Sequence, residues 1–404
     1  MRRLRAALAL AASLVVLLLL AGCSKAPQLH QREAYVFGTR VELSVWGESA
    51  DTAKQALAAV LAEFDRLHHA LHAWQPSELT ALNAAIARGE KEIAVSQELT
   101  FILTDAAAIA ARSDQLFNPA IGTLVGLWGF HSDEFKPVLP DTAALEAAVK
   151  AQPRMSDLVI DDACSPPGRP DRRKSLWDKA GTVNDTEPRS GEQSSPPSAG
   201  RGSGVRCLVT SRNRAVQLDL GGYAKGYALD RAAAILRGQG VGNALINIGG
   251  NVMALGSKGG QPWRIGIQHP RAAAPLASLE LRDGEAVGTS GDYQRYFDLE
   301  GRRYCHLLDP RSGRPAEGVQ AATVLVTPRE GAPQGYFLRG AGALSDAASK
   351  PLFIAAGKEW RGLAQRLGVA HALRIDGEGV MHVTAAFQAR LTMLASDVKI
   401  VSQP

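Results

Sequence analysis

Asp219-Leu220-Gly221-Gly222-Tyr223-Ala224-Lys225-Gly226-Tyr227-Ala228-Leu229-Asp230 joins a carboxylate, a glycine turn and a lysine where an extended segment gives way to a helix. Upstream, Ala215 to Leu220 alternates apolar and polar residues and predicts a strand. Downstream, Tyr223 to Leu236 has a helical period that stops near Gly238 and Gly240. Gly221 and Gly222 thus precede a helix N-terminus, where unpaired N–H groups and the helix dipole favour an anion and missing Cβ atoms let it approach. Lys225 adds a positive charge in the first turn. The spacing matches neither the dinucleotide fingerprint nor the P-loop, and a tight turn that needs glycine would leave the same local pattern.

Outward from this run the strand and helix patterns occur in mixed order. Tyr35 to Trp46 alternates like a strand with Gly38 inside it. Ala53 to Leu71 carries an apolar stripe from Leu57 to Leu71, with Asp51 or Thr52 placed to cap it. His68 and His72 share helical spacing, but His68 falls in the apolar stripe and no acidic third ligand has matching spacing, so they read as structural. A second helix is expected over Glu98 to Arg112, with Ser96 near its cap. Later strands are expected at Ala244 to Ile248, Trp263 to Gln268, Ala286-Val287, Tyr293 to Leu299 and Thr323 to Val326. A final helix covers Asp346 to Ala356, and His382 to Leu394 forms the last strands. This order predicts an α+β fold with mixed, largely antiparallel sheets and room for two packed subdomains.

Residues from about 163 to 206 turn abruptly rich in Pro, Ser, Gly, Arg and Lys and predict a disordered segment. Val159-Ile160-Asp161 before it and Leu208-Val209 after it look like strand pieces, so the segment reads as an insertion within one domain spanning 32 to 400. At the other end, Arg2, Arg3 and Arg5 precede an apolar run from Ala6 to Leu20 and then Leu20-Ala21-Gly22-Cys23, the pattern of a lipoprotein signal peptide over residues 1 to 22. The run is short for a spanning helix. Lipid attachment at Cys23, a tether over residues 23 to 31, and a location on the periplasmic side of a bacterial inner or outer membrane are the expectations.

The formal charge of +5 lies mostly outside the predicted core: it falls to +2 without the three leader arginines, and because the insertion carries +3 the remainder is near −1. No basic face is implied, and nucleic acid is excluded as a partner. Cys164 and Cys207 flank the insertion; a disulfide and two unpaired thiols are both open.

The glycine run is one of several motifs in fixed order: Phe37-Gly38-Thr39, Trp74-Gln75-Pro76-Ser77-Glu78-Leu79, Leu116-Phe117-Asn118-Pro119, Leu127-Trp128-Gly129-Phe130, Ile246-Asn247-Ile248-Gly249-Gly250-Asn251, Thr289-Ser290-Gly291-Asp292-Tyr293 and His306-Leu307-Leu308-Asp309-Pro310-Arg311-Ser312-Gly313-Arg314-Pro315. Together they resemble the ApbE family of FAD:protein FMN transferases over nearly the whole chain outside the insertion. The resemblance implies cleavage of FAD, transfer of FMN to a threonine of an acceptor protein and release of AMP, with Mg2+ assisting. Acceptors would be flavoproteins of membrane redox complexes carrying an Asp/Ser-Gly-Ala-Thr/Ser-like segment. FAD hydrolysis to FMN and AMP, and FAD binding without turnover, are the alternatives.

Carried over residue by residue, the resemblance implies FAD contacts at Phe37, Trp74, Leu116, Phe117, Asn118, Asp219, Lys225 and Leu307. His306 becomes the general base and Asp346 a catalytic and metal residue, with the Gly222 carbonyl and Ser349 as further metal ligands. One departure stands out: the family places a threonine or second acid one turn after the aspartate, and Lys350 stands there. An ammonium cannot ligate a metal, but it can supply positive charge to a diphosphate.

Overall fold

The computed structural model describes residues 27–132, 134, 136–161, 206–328, 340–396 and 398–403. The signal segment, Cys23, Cys164 and, but for Arg206, the expected insertion lie outside these residues. Cys207 is disulfide-bonded, and Cys305 is buried and free.

A nine-stranded sheet organises the molecule. In spatial order its strands are Leu29–Val36, Thr39–Trp46, Ala244–Ile248, Asn251–Leu255, Ala286–Gly291, Val319–Val326, His371–Asp376, Met381–Thr384 and Ile400–Gln403. Every neighbouring pair is antiparallel except the last. The α+β expectation holds. Strand alternation sends side chains to two cores: Val41, Leu43, Ile246 and Ile248 pack under the helices, while Leu245, Val252 and Val287 pack on the opposite face, under a three-stranded sheet of Leu391–Met393, Pro275–Leu281 and Trp263–Gln268.

The expected strand from Tyr35 is a hairpin, broken because Phe37 and Gly38 both adopt positive φ. Its first strand begins at Leu29, inside the expected tether. The first long helix is Ala50–Ala70, capped by Ser49, one turn before the expected start. Leu158–Ile160 pairs antiparallel with Arg206–Ser211, so the two ends of the insertion are neighbours in one small sheet. Ala215 to Leu220 is not a strand. Asn83 and the Pro119-Ala120 turn take its backbone groups instead, with Leu218 N–H on Asn83 Oδ1 at 2.7 Å and Asp219 N–H on the Pro119 carbonyl at 2.8 Å.

The quoted run then does its packing work. It enters the helix Ala224–Gly238, which crosses the helix Ala341–Ile354 at a pair of glycines. A Cβ on Gly226 would collide with the Gly342 carbonyl, and one on Gly342 with the Gly226 carbonyl. One turn further along, Asp230 accepts the amides of Gly342 and Ala343 at 2.9 and 2.8 Å and so caps the second helix from outside. Burial pushes the Asp230 pKa up to about 7 against these two hydrogen bonds. Gly226→Ala forces the helices apart and is expected to cost on the order of 1–3 kcal/mol in chemical unfolding; stability equal to the parent would contradict the close crossing.

Candidate functional site

The helix crossing brings Asp346 over the N-terminus of the helix Ala224–Gly238. Asp346 is fully buried, and its Oδ2 accepts the Gly226 amide at 2.9 Å. Its Oδ1 pairs with the Lys350 ammonium, which also donates to the Asp346 carbonyl at 2.7 Å. Spacing of four residues on one helix face makes this contact inevitable once both side chains turn inward. The anion that the sequence predicts at this N-terminus is therefore partly supplied by the protein itself. Lys350 and the neighbouring Lys225 hold the Asp346 carboxyl below its ordinary range, overcoming burial, while burial lowers the Lys350 pKa.

Gly222 gives Lys350 its room. A Cβ there would sit 3.3 Å from Lys350 Cε and 3.7 Å from the Phe117 ring. Asp219 closes the turn by accepting the Gly221 amide on Oδ1 at 2.8 Å, and its Oδ2 accepts the Trp74 indole N–H at 3.1 Å. His72 positions Trp74, since its Nδ1 accepts the amides of Trp74 and Gln75 at 3.1 and 3.0 Å. Lys225 Nζ donates to the Gly221 carbonyl at 3.2 Å.

These residues open onto one cleft. Of the residues singled out from sequence, Leu116, Phe117, Asn118, Asp219, Gly222, Lys225, His306, Leu307 and Asp346 line it, together with Lys350, Thr289 and Ser290. Asn118 also braces the wall, donating to the Pro153 carbonyl at 2.9 Å and accepting the Ala120 amide. Phe37 is outside this lining: its partly buried ring packs edge-on against Phe64 and His68 at 6.0 and 5.8 Å, against the helical core. Trp74 reaches the site through Asp219 and is not part of the cleft lining. Arg295 and Gln294 line the cleft and were missed. No spacing rule separates an arginine three residues beyond Asp292 from an ordinary surface arginine.

His306 faces this cleft with one nitrogen committed. Its Nδ1 lies 3.1 Å from the Arg295 carbonyl, which can only accept, so Nδ1 carries the proton and Nε2 has a free lone pair. Burial, then the charges of Arg295, Lys225 and Lys350, lowers the His306 pKa to about 3. The imidazole is therefore neutral across the physiological range.

The metal donors implied by the resemblance come together around an ammonium. Ser349 is fully buried and donates to the Asp346 carbonyl at 2.8 Å, with the Ser290 hydroxyl 2.7 Å away. Asp346 is shared between Lys350 and the Gly226 amide. Among the described residues no three His, Cys, Asp or Glu side chains form a group able to hold a metal ion. A dication at the same carboxylate would face Lys350 at close range. As folded, the donor set fits Lys350 and does not fit Mg2+.

The chain matches the ApbE family over residues 37–373. It is 36% identical over 392 residues to an FAD:protein FMN transferase of Rhodobacter capsulatus, covering 96% of this chain but 63% of that protein, so it spans less than two thirds of that relative's length. It is 30% identical over 305 residues to an FAD:protein FMN transferase of Klebsiella pneumoniae, covering 74% of this chain and 78% of that one. The fold is similar to the ApbE protein of Thermotoga maritima, with a TM-score of 0.69 and 27% identity over 90% of this chain and 99% of that one. It is also similar to the apo form of the flavinyl transferase ApbE of Pseudomonas stutzeri, with a TM-score of 0.66 and 25% identity over 90% and 97%.

Breaking a buried ion pair strands the remaining charge. Lys350→Met is expected to destabilise the chain by about 3–5 kcal/mol in chemical unfolding, with Asp346→Asn in the same background recovering most of the loss. A silent Lys350→Met would show that the pair is not formed.

Proposed function

The chain belongs to the ApbE family, and from that premise we propose that it transfers FMN from FAD to a threonine hydroxyl of an acceptor protein. The observation that carries the reading is His306, held as a neutral imidazole with Nε2 open to a cleft lined by Lys225, Arg295 and Lys350. Phosphoryl transfer asks a protein to neutralise charge, align the nucleophile and remove its proton.

The three cations receive the diphosphate of FAD. His306 Nε2 takes the threonine proton as the threonine oxygen bonds to the FMN phosphorus, and the bond from that phosphorus to the bridging oxygen breaks. AMP leaves carrying the electron pair. Leu116, Phe117 and Leu307 supply apolar walls for the planar rings, while the Asp219 carboxylate exchanges the Trp74 indole for a donor of the adenosine. The diphosphate also acts on the base: its negative charge offsets the cations that depress His306, so the imidazole becomes a stronger base when substrate is bound.

Family members are expected to use Mg2+, but no step here runs through it, because Lys350 already provides a cation at Asp346. Export, lipid attachment at Cys23 and a periplasmic site on a membrane are part of the same proposal, supported by the leader sequence. Acceptors in membrane redox complexes follow from that location.

His306→Asn is expected to lower kcat by about 10²–10⁴ while leaving the FAD dissociation constant near that of the parent; unchanged kcat would remove His306 as the base. With burial and the neighbouring cations lowering the His306 pKa to about 3 in the free enzyme, kcat/KM is expected to lose nothing to its protonation between pH 8 and 5. The acid limb of kcat, which reports the substrate complex, lies at higher pH than that of kcat/KM; the opposite order would contradict the charge-offset argument. Transfer is expected to persist in EDTA, and its abolition, with recovery on adding Mg2+, would contradict the assignment of that charge to Lys350.

A further inference from the structure

A second concavity of about 560 Å3 lies on the face of the nine-stranded sheet away from the helices, a volume within the usual range for a binding site. Its floor is the outward side of the sheet, including Ser44, Leu245 and Val287, and one wall is the strand Trp263–Gln268. Gly249, Thr289 and Gln294 line both this groove and the active cleft. The two are thus adjoining parts of one surface.

The wall has an unused backbone. Among the described residues Trp263–Gln268 pairs only with Pro275–Leu281 and is the edge of its sheet, so alternate N–H and C=O groups on its other side face the groove. Its direction is fixed at both ends. Trp263 is anchored at the far end, where its indole donates to the Leu255 carbonyl at 2.9 Å. Beyond Gln268, Arg271 pairs with Asp292 at 2.6 Å, two residues before Gln294 in the cleft wall. The strand edge therefore runs toward the reaction site.

We infer that the groove binds the acceptor polypeptide as an added strand on the edge of Trp263–Gln268, delivering its threonine over Gly249 and Thr289 to His306. The inference rests on the transferase reading. A protein acceptor must bring a backbone as well as a hydroxyl to the cleft. An exposed strand edge recognises any extended chain through main-chain hydrogen bonds, and the mixed floor of Ser44, Leu245 and Val287 receives alternate side chains. Continuity with the cleft selects this occupant, since a segment lying in the groove has its next residues at the phosphate site.

Ser44→Trp and Leu245→Arg fill or charge the floor without touching the FAD cleft. The full chain is assayed with FAD and a soluble acceptor domain carrying a Ser-Gly-Ala-Thr segment. Each variant is expected to raise the acceptor KM by about tenfold or more while keeping the parent FAD dissociation constant; Ser44→Trp also keeps the melting temperature, whereas Leu245→Arg lowers it because Leu245 packs in part under the three-stranded sheet. Wild-type acceptor KM in both variants would overturn the groove alone, whereas a parent chain that transfers no FMN would remove the function beneath it. Hydrogen exchange of the parent chain with the acceptor's threonine changed to valine provides a second readout, and on adding the acceptor new protection is expected at those amides within 264–268 that do not pair with Pro275–Leu281. Absence of new protection there would overturn the proposal. Protection of these groove-facing amides without acceptor would also overturn it, assigning the groove to another segment of this chain or, if it depends on concentration, to a second copy.

Discussion

The Asp346–Lys350 pair is the contact on which the site depends, and it exists because two helices meet without side chains between them. Gly226 and Gly342 let the backbones close, Asp230 fixes the register by holding the amides of Gly342 and Ala343, and Asp346 then falls onto the Gly226 amide. A carboxylate in that position needs a counter-charge, and Lys350 provides it one helical turn away. The same lysine reaches the cleft only because Gly222 leaves it space. One twelve-residue run thus supplies the turn, the crossing and the cap.

The charge balance that follows explains the state of His306. A neutral imidazole surrounded by Lys225, Arg295 and Lys350 is a weak base in the free protein, and its proton affinity rises when an anion enters. On the proposed function, binding and activation are one event: the groups that would attract a diphosphate keep the base weak until it arrives. The Arg295 carbonyl contributes separately, since it fixes which nitrogen is available.

Much of this was legible in the chain because it rests on local pattern. Trp263 to Gln268 and Ala244 to Ile248 were readable to the residue, the first because a half-buried strand alternates and the second because a short apolar run stops at a glycine turn. The strand pieces flanking the compositionally biased segment were readable and do pair, while the segment itself, but for Arg206, lies outside the described residues. Ala215 to Leu220 misled because its extended backbone is satisfied by an asparagine side chain and a loop, contacts more than a hundred residues apart in sequence for Asn83 and Leu218. Phe37 shows how an aromatic ring serves a core or a ligand equally well: it packs edge-on against Phe64 and His68 and is not among the residues lining the cleft. Arg295 carried no signal at all. Lys350 could be singled out, but its binding to Asp346 depends on both side chains turning inward, which only the helix crossing decides.

The most direct test of the account is the intact mass of an acceptor domain after incubation with the chain and FAD, measured together with released AMP. The account predicts a mass gain of one FMN unit on the threonine with AMP in equal amount. AMP and free FMN beside an unmodified acceptor, or FAD bound and intact, would contradict it.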